Sequence, residues 1–245
     1  MIDSLAPLSL PTVDAAEPWL AGKARSGLAR AADLVATLKQ QRPRDAETAL
    51  ELWNEISIEL ANVAAAASFF SEAHPLEAVR TRGEQAMQDV QKVTTDLGLD
   101  RDLYDIFAAV DGSALDAEAR RLLDKTLLDF RRAGVDQDEA TRARIRAINE
   151  RLLVVGQEFS KNIRDDVKTI SVTSAELDGL PQDWLDVHPV GADGLITVTT
   201  DYPDLVPVVT FCTVRETRHA LRVAFLNRAW PANDALLREL VDLRH

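Results

Sequence analysis

The sequence predicts a mainly α protein, a multi-helix domain with a small β element near residues 169–200. Three observations carry this. Alanine is abundant while aromatic residues make up only 5% of the 245, a balance that favours helices over sheets. Apolar residues recur at helical spacing through most of the first 168 positions. β-branched alternation is confined to two short stretches that bracket a loop rich in Gly and Pro.

Residues 1–15, with Pro7 and Pro11 and no clear period, predict an extended arm. A first helix is expected from Glu17 to Gln40, with Pro18 in its opening turn, where a missing N–H is harmless; Pro43 ends it. Asp45 caps a second helix, which carries Leu50, Trp53, Ile56, Leu60, Val63 and Ala67 on one face and breaks at His74-Pro75. A third runs from about Pro75 to Leu97 with Gly98 closing it. A short fourth covers Asp102 to Val110. Asp116 starts a fifth, which ends at Gly134. Asp136 then caps a long sixth, with Glu139 as a capping-box-like partner. That helix meets no breaker before Gly156 and is expected to reach about Asp166. At 1.5 Å per residue it would span about 45 Å, enough to be the spine of the domain.

After Lys168 the texture changes. Thr169-Ile-Ser-Val-Thr173 reads as a strand, a loop with Gly179, Pro181, Pro189, Gly191 and Gly194 follows, and Leu195-Ile-Thr-Val-Thr-Thr200 reads as a second strand. Helices resume near Pro203, with Pro231 as punctuation. The last of them, Asn233 to His245, carries Leu236, Leu237, Leu240 and Val241 on one face. No Gly, Asn or Pro stops it, although helices usually end on such a signal. The expectation is therefore that the chain is the front part of something longer.

Composition narrows the function classes. Hydrophobic residues at 46% and charged residues at 28% are those of a soluble globular protein. A net charge of -12 speaks against nucleic acid as a partner, since phosphates call for a basic surface. It disfavours an anionic membrane surface for the same reason. Cys212 is the only cysteine, so no intramolecular disulfide forms. The N-terminus has no basic stretch followed by an apolar run, no segment approaches the roughly 20 apolar residues of a membrane span, and no Asn-x-Ser/Thr sequon occurs. These features together predict a cytoplasmic protein.

The candidate chemical groups are few. None of His74, His188, His219 and His245 begins a His-Glu-x-x-His sequence, so the zinc-hydrolase pair at one helical turn is missing. Glu216-Thr-Arg-His219 is a single Glu-x-x-His, whereas di-iron bundles need two plus two further inward Glu residues. Amid Arg215, Arg218 and Arg222 it reads as a solvated helix face. Asp165-Asp166 is a carboxylate pair, but beside Arg164 and Lys168 at a helix end it reads as exposed. His74 precedes a proline at a helix break and suits a local cap. Cys212, in Val208-Val-Thr-Phe-Cys, reads as a small buried hydrophobe. Trp19, Trp53, Phe69 and Phe70 at helical spacings read as core. Gly-x-Ser-x-Gly, P-loop and Gly-x-Gly-x-x-Gly sequences are absent.

An ordered series of short patterns says more than any one of them. It runs Ser71-Glu-Ala-His-Pro75 with Arg80, Asp102-Leu-Tyr104, Leu128-Asp-Phe-Arg-Arg-Ala-Gly134, Gly156-Gln-Glu-Phe-Ser-Lys-Asn162 and Glu176-Leu-Asp-Gly-Leu-Pro181. It continues with Asp201-Tyr-Pro203, Arg215-Glu-Thr-Arg218, Ala224-Phe-Leu-Asn-Arg-Ala229 and Leu240-Val-Asp-Leu-Arg-His245. From about Trp19 to His245 this resembles the N-terminal part of the thimet oligopeptidase family of zinc metallopeptidases, which includes oligopeptidase A and peptidyl-dipeptidase. The resemblance implies a mostly helical molecule split by a deep channel that admits short peptides. It implies zinc held by two His of a His-Glu-x-x-His helix and a downstream Glu, the motif's own Glu serving as general base. That helix lies downstream of the matched region. The resemblance therefore brings no catalytic, cofactor-binding or metal residue onto this chain, and zinc would belong to the full-length protein.

The expected organisation is then an arm (1–15), a helical domain (16–168), and residues 169–245 as a small β element and helices leading into an absent catalytic domain. The expected function is that of the non-catalytic N-terminal region of a zinc oligopeptidase that hydrolyses short peptides, as a metalloendopeptidase or peptidyl-dipeptidase, with this region forming part of the channel wall. Its partners would be its own C-terminal catalytic domain and short peptide substrates. The 245-residue chain alone is expected to be inactive, because it lacks His-Glu-x-x-His. The alternative is a stand-alone helical interaction or scaffold protein of the same ancestry. A third reading is a metal-dependent helical enzyme built on Glu216 and His219.

Overall fold

The computed structural model describes residues 10–245, so most of the expected arm lies outside the described residues. They are mainly α, as predicted, with ten α-helices and one two-stranded antiparallel sheet. No helix among the described residues is long and apolar enough to cross a membrane. The chain divides into two compact units, Met1–Val154 and Val155–His245.

In the first unit a 3-10 turn (Val13–Ala15) leads into α1 (Ala16–Gln41), followed by α2 (Ala46–Ala73), α3 (Glu77–Gly98), α4 (Arg101–Ala109) and α5 (Ala117–Ala133). Aspartates set three of the starts by accepting the free first-turn amides. Asp45 takes Thr48 N at 2.9 Å, Asp100 takes Asp102 N at 3.0 Å, and Asp116 takes Ala119 N at 2.8 Å. Gly134, at φ 93°, closes α5 in the left-handed conformation. Gly98 does not play that part for α3. It is the last helical residue, and the end is held by Leu99 N on Thr95 O at 3.1 Å.

The principal core of this unit joins Leu34 and Leu38 of α1 with the predicted α2 face, where Leu50, Ile56, Leu60, Val63 and Ala67 are all buried. Leu103 and Phe107 of α4 and Leu123 and Phe130 of α5 complete it. On α3, a Cβ at Gly83 would lie 2.7 Å from Ala67 O and 2.8 Å from Ser71 N. Glycine there lets two helix backbones approach directly. Of the four aromatic residues read as core, Phe69 is not, and the other three fall in two groups. Trp53 packs on Phe107 and Phe130, each at 5.5 Å between ring centres. Trp19 and Phe70, 5.6 Å apart, belong to a separate small cluster with Leu20 and Val79. Phe69 is 58% exposed, because its neighbour Phe70 takes the inward position and one residue turns the helix by about 100°.

The division between the units falls inside α6 (Glu139–Asp165). Asp138 begins this helix by accepting Thr141 N at 2.7 Å; the expected cap, Asp136, lies too far upstream. With 27 residues α6 spans about 40 Å. Val155 is its one buried residue among the described residues, so it is not the core spine its length suggested. In its Arg-rich run Arg144 and Arg151 are exposed, whereas Arg142 and Arg146 are half-buried.

In the second unit β1 (Thr169–Val172) pairs with β2 (Ile196–Thr199), Thr169 opposite Thr199 and Val172 opposite Ile196. The segment between them, expected as a loop, forms a 3-10 turn (Ser174–Leu177) and α7 (Gln182–Asp186). Leu177, Leu180 and Trp184 from this segment enter the core, which pins it into local helix. Next come α8 (Tyr202–Phe211), α9 (Arg215–Leu226) and α10 (Ala232–Arg244). Ile196, Val198, Leu205, Val208, Cys212 and Leu221 fill out the core. On α10, Leu236 and Leu240 are half-buried, whereas Leu237 and Val241 are exposed.

Candidate functional site

The family-like patterns of the second unit bond to one another. In the segment Glu176 to Pro181, the Glu176 side chain accepts Thr173 N at 2.7 Å and so starts the 3-10 turn. Its backbone carbonyl accepts the Thr217 hydroxyl at 2.8 Å and the Cys212 thiol at 3.4 Å. The next carbonyl but one, Asp178 O, accepts Thr213 N at 2.8 Å. Gly179 follows at φ 91°, where a Cβ would lie 2.5 Å from Phe211 O. Arg218 closes the group by donating to Cys212 O at 2.6 Å. A second fastening joins the Gln157–Asn162 and Ala224–Ala229 stretches to the start of α10. Asn162 Nδ2 donates to Asn233 Oδ1, and Asn233 Nδ2 donates to Phe159 O, both at 2.9 Å. Ala229 N donates to Asp166 Oδ2 at 2.6 Å.

A third fastening pairs two residues the sequence did not connect. Asp204, in the first turn of α8, is 8% exposed. Its Oδ2 accepts Thr199 N at 2.8 Å and the Thr199 hydroxyl at 2.6 Å. Its Oδ1 lies 2.9 Å from His188 Nε2. Burial works to raise this carboxyl, but the Thr199 and His188 hydrogen bonds outweigh it and hold it below the ordinary carboxylate range. The His188 ring stacks on Trp184 at 3.7 Å, and its Nδ1 is 2.7 Å from Trp184 O. Both ring nitrogens are engaged within the fold. This His–Asp pair ties α7 to β2 and α8.

The groups singled out from the sequence fall elsewhere. Glu216 and His219 are both exposed on α9. Asp165 pairs with Lys161, and Asp166 pairs with Lys168 at 2.9 Å. The Lys168 and Ala229 bonds hold the Asp166 carboxyl low, the opposite of what a proton donor at neutral pH needs. His74 Nδ1 accepts Leu76 N at 3.2 Å across the helix break. Cys212 is 3% exposed and engaged with backbone carbonyls. Among the described residues no three or more His, Cys, Asp or Glu side chains gather where they could hold a metal ion. These residues do not fit the zinc site that the resemblance implies.

Fold and site together are those of a mainly α chain whose distinctive residues fasten segments of the second unit to one another. Comparison with known proteins shows what the chain is similar to. The chain is 25% identical over 203 residues to "Thimet-like oligopeptidase" of Dictyostelium discoideum, covering 79% of this chain and 30% of that protein. It is 26% identical over 178 residues to "Saccharolysin" of Saccharomyces cerevisiae, covering 68% and 25%. It is 27% identical over 187 residues to "Oligopeptidase A" of Escherichia coli, covering 68% and 27%. No family model matches the chain. The chain is related to the N-terminal region of the thimet oligopeptidase and oligopeptidase A family, and it spans 25% to 30% of the length of these three relatives.

Proposed function

We propose that this chain serves as the non-catalytic N-terminal region of a zinc oligopeptidase, where it forms part of the wall of a channel that admits short peptides. The observation that carries this reading is the match itself: most of the chain aligns with a quarter or so of several oligopeptidases. The arrangement of its residues supports the same reading. The motifs that carry the likeness make backbone fastenings, which suits a region that holds a shape while another part performs the chemistry. In this reading the partners are a C-terminal catalytic domain and short peptides, nucleic acid and membrane are not partners, and the setting is cytoplasmic. Zinc would be held, and would supply its activated water, outside these residues.

The test is hydrolysis of short peptides by the product of the uninterrupted reading frame, with and without a zinc chelator, beside the 245-residue chain alone. Chelator-sensitive cleavage by the long product and none by the chain is the expected result. One tightly held zinc per chain, or cleavage by the chain alone, would overturn the division of labour. A frame without cleavage in any form would leave the scaffold reading in its place.

A further inference from the structure

The outward face of α9 is unusual in a chain of net charge -12. Thr217 and Leu221 turn into the core. On the opposite side Arg215, His219, Arg222, Val223 and Leu226 are all exposed, at spacings that put them on one helical stripe. Neither Arg215 nor Arg222 has an acidic residue three or four positions away along the helix. Their neighbours at those spacings include Arg218, a like-charge crowding that destabilises an isolated helix. Leu226 is 66% exposed and Val223 44%, so the face ends in two bare apolar side chains.

The first unit carries the complementary surface. Glu47, Glu51 and Glu55 follow one another at four-residue spacing along α2 and are exposed, again a run of like charges. Glu47 and Glu51 form one lip of a groove of about 460 Å3 between α2 and the start of α5. Asp116 stands on its other side, and Leu50, Leu115, Ala119 and Leu122 supply apolar lining. Leu122 is 45% exposed, and no cationic residue lines the groove. Arg215 and Arg222 lie seven residues apart, about 10.5 Å along the axis, against about 6 Å from Glu47 to Glu51 and the further reach to Asp116.

We propose that α9 of one copy of this chain docks in the α2–α5 groove of a second copy, Arg215 and Arg222 facing Glu47, Glu51 and Asp116, and Val223 and Leu226 facing Leu115 and Leu122. The contact joins two different faces, so it is heterologous. A helix of 12 residues buries less than the roughly 800 Å2 per partner of a standard interface. The association is therefore weak, and salt screens it.

Sedimentation of the 245-residue chain from about 10 μM to about 1 mM, in low and in high salt, tests this. The weight-average mass is expected to rise with concentration in low salt and to fall back in 0.5 M NaCl. R215E/R222E and E47R/E51R, whose circular dichroism should overlay that of the native chain, each weaken association at least tenfold when alone. Mixed one to one they associate again, because each supplies the face the other has lost. Three results would overturn the proposal. The mixture stays as light as its components, the native chain stays monomeric throughout, or association ignores the charge reversals and instead yields to Leu237→Glu on α10. A native chain that stays monomeric yet binds a poly-glutamate peptide, with binding lost in R215E/R222E, would assign the face to another acidic partner.

Discussion

His188 Nε2 lies 2.9 Å from Asp204 Oδ1, while the other oxygen of Asp204 holds the amide and hydroxyl of Thr199. One buried carboxylate thus joins the end of β2, the first turn of α8 and the residues after α7. Replacing it leaves several donors without a partner. Asp204→Ala is expected to lower the stability of the second unit by about 2–3 kcal/mol, the cost of buried hydrogen-bonding groups left unsatisfied. Urea unfolding followed by tryptophan fluorescence would report it through Trp184.

The same carboxylate predicts a pH dependence. Its folded-state value is held below the ordinary one, so the folded state binds fewer protons there than the unfolded chain. The stabilisation is fully present above the ordinary Asp range of about pH 4, and it is lost as pH falls through the lower folded value. Asp204→Asn should flatten that acid limb. Denaturation midpoints between pH 2.5 and 6 would show it, and an acid limb of equal depth in both proteins would refute it.

Two glycines on neighbouring helices should respond to alanine with opposite signs. Gly22, within α1, has nothing within 4 Å of its would-be Cβ, so Gly22→Ala is expected to stabilise by about 0.5–1 kcal/mol through helix propensity. Gly83 meets Ala67 O at 2.7 Å, and a backbone atom does not swing aside. Gly83→Ala is expected to destabilise by about 1–3 kcal/mol despite the same propensity gain. Paired thermal melts decide it.

Gly179→Ala should loosen the second unit selectively. The residue combines φ 91° with a would-be Cβ 2.5 Å from Phe211 O and 2.8 Å from Thr213 Cγ2, so strain and clash add to a loss of more than about 2 kcal/mol. Hydrogen exchange should quicken across residues 169–226 while amides of α1 to α5 keep their rates. Uniform quickening through both units would contradict the division at residue 154.

Glu216 and His219 offer a control. Both are exposed and draw no third ligand among the described residues. Glu216→Ala/His219→Ala is expected to change stability by no more than about 0.5 kcal/mol and to leave the zinc content of the chain unchanged. A fall in bound metal would revive the metal-enzyme reading.

The sequence by itself determined the class of fold, the starts and stops of most helices, and the two strands. Each of these is written in residues close together along the chain. Asp45, Asp116 and Gly134 are local signals, the α2 stripe is a local period, and alternating β-branched residues mark β1 and β2. It also carried the resemblance to the oligopeptidases, because an ordered series of short patterns needs no three-dimensional knowledge. Where local reading failed, two neighbours offered the same signal and packing chose between them. Asp138 rather than Asp136 caps α6, and Phe70 rather than Phe69 turns inward. Only the tertiary structure decided the pairing of His188 with Asp204, of Glu176 with Thr217 and of Asn162 with Asn233. These partners lie 16, 41 and 71 residues apart, and no periodicity links residues at such separations. Their contact exists only once the core of the second unit has closed and its buried polar groups have had to find one another.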